Sequence, residues 1–593
     1  MRVVFQAVLW AVLLPTLALA QVRDTTLIAG GGPSSDVGER IAVSRFGDVA
    51  VSGTFKRTAT FGGVSITSAD APGLESDAFV VLYGADGAAR WARRMGTGIF
   101  NDFGTGVAIS DPMLTGAPAQ VYVSGYFTGI ATFDGGANPT VTLTTRSSFD
   151  AFLAAYSIDG DLLWVEQAGG VDEDTGRDVT VDAGGNVYWV GSFTGTSTWG
   201  QGADAETRTS AGSSDGFVAR YAPDGTLDWV LAVGGPEGDA MYGVSMLADD
   251  PVGVFPLVAS GTFRSVSFFG TIPLQSRGAS DVVVLSMDPA AGTVAWAQQI
   301  GGNGNDYTRS VAVYPGQQIA VAGSFENTIL VGSDVLTSAG FSDAFVAGLT
   351  EDGVVTAGRR AGGAGFDFAW GVATFPPGPY PVRPDLGGAF GATVVGFVDG
   401  DVTFGTTAVT ARAVDGFVAS FDLASGGSPS PSAVSLIGSP GGDRAYGAAY
   451  AIGPFSSFPL YVTGSMSGTA TFGSASATSA GGTDVFVGSV YECFTPSCLP
   501  SAAEPGTGTA VLALAVAPNP VRASGAVTVT LAAPSDATVT VVDVRGRTVA
   551  RLYRGTLAAG ATRLDLPTLA PGAYWIRAAT SEGVATQPLA VVR

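Results

Sequence analysis

The stretch DAFLAAYSIDGDLLWVEQAGG, Asp150 to Gly170, sets two apolar runs on either side of Asp159-Gly160-Asp161. Each run is of strand length, and an Asp-Gly pair between them suits a tight hairpin turn, because Gly adopts positive φ without steric penalty. The opening tetrapeptide recurs as Asp77-Ala78-Phe79-Val80, Asp215-Gly216-Phe217-Val218, Asp281-Val282-Val283-Val284, Asp343-Ala344-Phe345-Val346, Asp415-Gly416-Phe417-Val418 and Asp484-Val485-Phe486-Val487. The seven copies are spaced by 73, 65, 66, 62, 72 and 69 residues, a period that marks a repeat architecture.

Two further landmarks precede each copy. One is an aspartate followed five positions on by a small or apolar residue: Asp36, Asp102, Asp174, Asp239, Asp306, Asp367 and Asp443. The other is a strand ending in Gly, usually followed by an aromatic residue, as in VAVSGTF, VYVSGYF and VYWVGSF. Each unit therefore reads as four short strands, and for the second unit the expected spans are Gly106–Ser110, Val121–Phe127, Asp150–Ser157 and Leu162–Ala168. Segments such as TATFGG and IATFDGG predict a short added ribbon between the second and third strands. Seven four-stranded units suit a seven-bladed β-propeller, in which radial packing buries both faces of each sheet and leaves few edges. Thr25 to Asp36 matches a fourth-strand segment, whereas no fourth strand follows Asp484-Val485-Phe486-Val487. The N-terminal strand is thus expected to complete the seventh blade, over residues 21–491.

The unit SDGFVARYAPDGTLDWVLAVGGPEGDAMYGVSM resembles the bacterial SBBP-type β-propeller repeat, with Gly216 in place of the preferred Ala and Asp228 separating Leu from Trp. The resemblance spans residues 22 to 491 and implies a fold without implying an activity.

Composition narrows the chemistry. With no histidine there is no imidazole base, no Ser-His-Asp or Cys-His nucleophile and no His-ligated zinc. A net charge of −22 excludes nucleic acid and anionic membrane surfaces as partners, and leaves calcium as the candidate ion. Arg2, the apolar run Val3 to Leu14 and the exit Ala18-Leu19-Ala20 predict an export signal over residues 1–20, too short for a membrane span. Export would place Cys493 and Cys498 in an oxidising compartment, where the simplest reading is a small-loop disulfide in the linker 492–510. A thiol metal site is the alternative, with an incomplete ligand set.

Beyond the linker, alternating residues in 511–593 predict about seven short strands, suiting a small immunoglobulin-like β-sandwich. This segment resembles the type IX secretion sorting domain of Bacteroidetes-like bacteria. The matching residues are Ala517-Pro518-Asn519-Pro520, Asp543-Val544-Arg545-Gly546-Arg547, Pro571-Gly572-Ala573-Tyr574 and the terminal Leu589 to Arg593. The resemblance implies the type IX machinery as partner and a secreted or outer-membrane surface-attached protein.

No spacing singles out a catalytic residue. The Asp36-to-Asp443 series is a candidate ligand or ion ring, against the plainer expectation that an Asp at a strand entry accepts backbone N–H bonds. Both aspartate series are expected on one edge with the long variable loops, and the Asp-Gly turns on the other. The loop DEDTGRD, with Asp172, Asp174 and Asp178, carries a faint calcium-ligand spacing, and a solvated turn is the plainer reading. Trp91, Trp164, Trp229 and Trp296 are expected to pack between blades. The favoured function is a non-catalytic scaffold binding a glycan or protein through the variable-loop face. The alternatives are a carboxylate-dependent polysaccharide hydrolase and a purely structural envelope or adhesion component.

Overall fold

In the computed structural model, the described residues are 23–491 and 512–591, apart from 70–74, 99, 247–255, 315–317, 375–390, 425, 452–458, 518–524, 532, 544–547, 570–571 and 581–582. The expected export signal, the cysteines, and Pro518, Asn519, Pro520, Gly546 and Arg547 lie outside them. Among the described residues the protein is all-β, with one short helix, Pro112–Thr115, and one 3₁₀ turn, Gly202–Asp204. Two compact units divide the chain.

The larger unit holds the repeats, and each forms four antiparallel strands in the predicted order. In the third repeat these are Thr175–Val181, Val187–Trp199, Glu206–Tyr221 and Leu227–Val233. In the second, the fourth strand is Leu162–Ala168 as expected, but the second and third, Gln120–Phe133 and Val141–Ser157, are longer because they run on into the ribbon. Middle strands such as Val49–Phe55 and Asp77–Tyr83 are buried at every position, which explains their continuous apolar runs.

The N-terminal strand Arg23–Gly30 pairs antiparallel with Ala475–Tyr491, Leu27 opposite Gly488 and Ala29 opposite Phe486. It is therefore the fourth strand of the seventh repeat. The first strand of each repeat lies against the first strand of the next, and the seventh, Arg444–Tyr450, lies against Val37–Val43 of the first.

Core side chains are shared between consecutive repeats. One cluster joins Ala78 and Val80 of the first repeat to Phe127 and Phe152 of the second, and another joins Val485 and Val487 of the seventh to Val51 and Phe79 of the first. The ribbons add hydrogen bonds across the same boundaries. Gly301 pairs with Leu330, Ala361 with Phe404 and Ile437 with Phe472, while Gly31 bridges Thr60 and Gly169 bridges Thr198. Gly302, which pairs with Ile329 at the same boundary, allows this close approach, since a Cβ there would lie 1.7 Å from the Thr328 carbonyl oxygen.

The smaller unit has a three-stranded sheet (Leu512–Ala517, Ala526–Leu531, Gly560–Asp565) and a four-stranded one (Ser535–Asp543, Thr548–Leu557, Gly572–Thr580, Gly583–Val591). Val527, Val529, Val539, Val541, Ile576 and Leu589 form one core between them. Asp543 ends one strand, and Gly572 and Tyr574 open another, with Asp543 paired to Tyr574.

Candidate functional site

The first aspartate series does structural work in the loops it closes. Asp36 accepts the Gly32 N–H at 2.7 Å and the Lys56 N–H at 2.9 Å. Asp102 takes Thr97 at 2.6 Å and Thr128 at 3.1 Å, and Asp239 takes Gly235 at 2.6 Å and Arg264 at 2.8 Å. Asp367 and Asp443 repeat the pattern with Gly363 and Asp399, and with Ser439 and Ser467. Asp174 binds Gly170 N–H and the Ser197 hydroxyl, and Asp306 the Gly302 N–H. Six of these carboxylates thus tie the loop entering their first strand to the far part of the second, whereas Oδ1 of Asp306 has no partner, and all seven are buried. Burial pushes Asp36, Asp102, Asp174 and Asp306 up to about 7, and Asp239 and Asp367 up to about 6, against the N–H bonds that pull them down.

The strand-opening series meets the first across the repeat boundary, a pairing that strand spacing within one repeat does not show. The Asp102 N–H donates to the carbonyl of Ser76, just before Asp77, and the Asp239 N–H to that of Ser214, just before Asp215, both at 2.7 Å. The same bond recurs from Asp36 to Thr483 and from Asp443 to Val414. Among the described residues, no three acidic or cysteine side chains converge on a point that could hold a metal. In DEDTGRD the three acids diverge: Asp172 is exposed, Asp174 is a loop tie, and the Asp178 side chain accepts the Val244 N–H at 3.2 Å.

The tryptophans pack between repeats. The indole N–H of Trp91 donates to Ile158 at 2.9 Å, that of Trp164 to Pro223 at 2.9 Å, and that of Trp296 to Glu351 at 2.8 Å. Each acceptor belongs to the Asp-Gly-type turn of the following repeat. Gly160, at φ 89°, would place a Cβ 2.7 Å from the Trp91 ring.

The expected division of the edges is only half right. The Asp-Gly turns do lie opposite the two aspartate series, but connections of unequal length, such as residues 44–48 and 110–119, join first to second strands and so share the edge of the turns.

The most distinctive feature was not anticipated. In every repeat, the pairing of first with second strand slips by one residue, between Gly38 and Arg40, Gly104 and Gly106, Gly176 and Asp178, Met241 and Gly243, Thr308 and Ser310, Ala369 and Gly371, and Ala445 and Gly447. A β-bulge re-aims the extra residue's side chain. The bulged residues are Glu39, Thr105, Arg177, Tyr242, Arg309, Trp370 and Tyr446, each three positions after its first-series aspartate, and all are partly exposed directly after a buried residue; Thr105, Tyr242, Trp370 and Tyr446 have buried residues on both sides.

Several meet. The Arg309 guanidinium lies 4.7 Å from the ring centres of both Tyr242 and Trp370, and that of Arg177 5.6 Å from Tyr242 and 5.3 Å from Tyr126. Arg40 donates to the Arg309 carbonyl at 2.9 Å, spanning first and fifth repeats, and lies 4.0 Å from Asp178. Burial lowers Arg309 and raises Glu39, whose carboxyl is pulled back down by Arg40, Arg309 and Arg177. The signal for this centre was a repeat-aligned column, hidden because its residues share no chemistry.

In the smaller unit, the paired Asp543 and Tyr574 belong to two of the motifs read in the sequence. Residues 515–592 match the secretion system C-terminal sorting domain. The sorting domain is a type IX secretion signal and indicates export to the cell surface or beyond. Among the described residues, no helix is long and apolar enough to cross a membrane. The chain matches no curated protein. Among solved structures, it is similar to a fungal alcohol oxidase of the AA5 family in complex with copper, at 12% identity and a TM-score of 0.30, over 97% of this chain and 100% of that one. Dimeric latent PorU from Porphyromonas gingivalis is similar at 10% identity and a TM-score of 0.14, over 96% of this chain and 34% of that one. Likenesses this distant carry no argument about function.

Proposed function

We propose that the seven repeats are the blades of a β-propeller of the SBBP kind, completed by the N-terminal strand, and that the exported protein is a non-catalytic scaffold binding a glycan at the centre of its ring. Support for the ring comes from the cyclic order of first-strand contacts and from the core that joins the seventh repeat to the first. The observation that carries the functional reading is the set of seven bulges. They re-aim one side chain in every repeat, and those of Arg177, Tyr242, Arg309, Trp370 and Tyr446 meet one another, whereas the recurrent carboxylates are occupied as loop ties. Conserving a bulge while varying the residue on it suits a recognition surface, since a purely structural column would hold one residue type.

The test is retention of the purified full chain on a panel of immobilised glycans. Saturable binding that weakens on Trp370→Ala is the expected result. Absence of binding to any glycan, or release of reducing ends that Glu39→Gln abolishes, would overturn the reading in favour of a structural component or a hydrolase.

A further inference from the structure

The central cluster has an electrostatic character opposite to that of the molecule around it. The chain carries −22, yet Arg40, Arg177 and Arg309 gather there and, among the described residues, the carboxylates facing them are Glu39 and Asp178. Arg40 is the one drawn to Asp178. Among the described residues, no carboxylate comes within 4.0 Å of Arg177 or Arg309, which rest instead on aromatic faces. The Nε of Arg177 and the indole N–H of Trp370 are buried donors without an acceptor. Enclosed donors of this kind cost free energy unless something accepts from them. A guanidinium stacked on a ring keeps its edge free, and that edge is the part that binds an oxyanion through paired N–H bonds.

Aromatic rings extend from this centre toward solvent. Trp370 shares its strand, Phe368–Thr374, with Phe368 at the strand's start. Phe368 stacks on Phe366 at 6.5 Å and Phe366 on Phe341 at 4.9 Å, with interplanar angles of 10° in both cases. Phe341 is 67% and Phe366 52% exposed. Stacked in series, these rings cover one another's faces, and the outer face of Phe341, the more exposed of the two, is the flat apolar surface left for a pyranose ring.

We propose that the Arg177–Arg309 centre is an oxyanion site that takes the carboxylate or sulfate of an acidic saccharide, whose further sugar rings lead outward past the aromatic stack toward Phe341. This deepens the glycan-binding reading and rests on it. Glu39 is the internal competitor for the same guanidiniums, so its removal strengthens the site.

Calorimetric titration of the full chain with three oligosaccharides of equal length, one of uronic acids, one sulfated and one neutral, tests this and separates the two oxyanion sources. Binding of at least one acidic form at least 10-fold tighter than the neutral form is expected. Arg309→Met should erase that preference, and Glu39→Gln should increase it several-fold. Because Arg309→Met could affect folding, competition on the unaltered protein gives a second readout: sodium sulfate should displace the acidic ligand more effectively than sodium chloride at matched ionic strength. Equal binding of acidic and neutral forms, an unaffected Arg309→Met, or equal displacement by the two salts would overturn the oxyanion site while leaving glycan binding intact. No binding of any of the three would remove both.

Discussion

At the residue scale, Gly160 shows how one position serves two constraints. Its φ of 89° favours glycine, and a Cβ there would also press within 2.7 Å of the Trp91 ring. Gly63, at φ 93°, has nothing within 4 Å of an added Cβ. Gly63→Ala should therefore cost about 1 kcal/mol, the left-handed penalty alone, whereas Gly160→Ala adds displacement of a buried indole and should cost on the order of 2–4 kcal/mol. Thermal midpoints of the two variants compare them directly, and equal shifts would contradict the packing account. The turn residues were legible in the sequence because φ and chemistry coincide at an Asp-Gly pair. The bulge residues were not, because a bulge depends on backbone pairing and places no demand on side-chain type: Glu39, Arg177 and Trp370 occupy one structural position.

At the element scale, the strand Arg23–Gly30 covers what would otherwise be an open edge on Ala475–Tyr491. An uncovered edge pairs with whatever strand it meets. Deletion of residues 23–30 should raise hydrogen exchange along Phe486, Gly488 and their neighbours and promote concentration-dependent association, read by light scattering; a monomeric variant with unchanged exchange would show the strand to be dispensable. This closure was legible, since the count of strands at the two ends differed by one. The meeting of the two aspartate series was less so. It joins the third strand of one repeat to the first strand of the next, and a reading confined to one repeat measures the wrong separation. The lengths of the first-to-second-strand connections were in plain view, but their edge follows only once every strand boundary is placed.

At the scale of the whole molecule, the buried aspartates set a direction for stability against pH. Their carboxyls are raised by burial, Asp36, Asp102, Asp174 and Asp306 to about 7 from an ordinary 3.8. Between those values the folded chain holds more protons than the unfolded one, so the slope of unfolding free energy with pH is negative. Stability contributed by these groups is complete below pH 3.8 and is lost as pH rises through about 7. The thermal midpoint should fall from pH 5 to pH 8. Self-repulsion from the net charge of −22 acts in the same direction. Asp102→Asn separates the two, because it barely alters net charge yet removes one titrating group, and its pH profile should be flatter. A profile parallel to that of the unaltered protein would assign the whole effect to surface charge.

The pairing of Arg23–Gly30 with Ala475–Tyr491 also imposes an order in time. The strand made early must wait, unpaired, until nearly all of the repeats have been synthesised, and the sorting domain at 515–592 follows almost immediately after its partner appears. The sorting label is thus written behind the strand that completes the seventh repeat, so a chain truncated before that strand carries no type IX label.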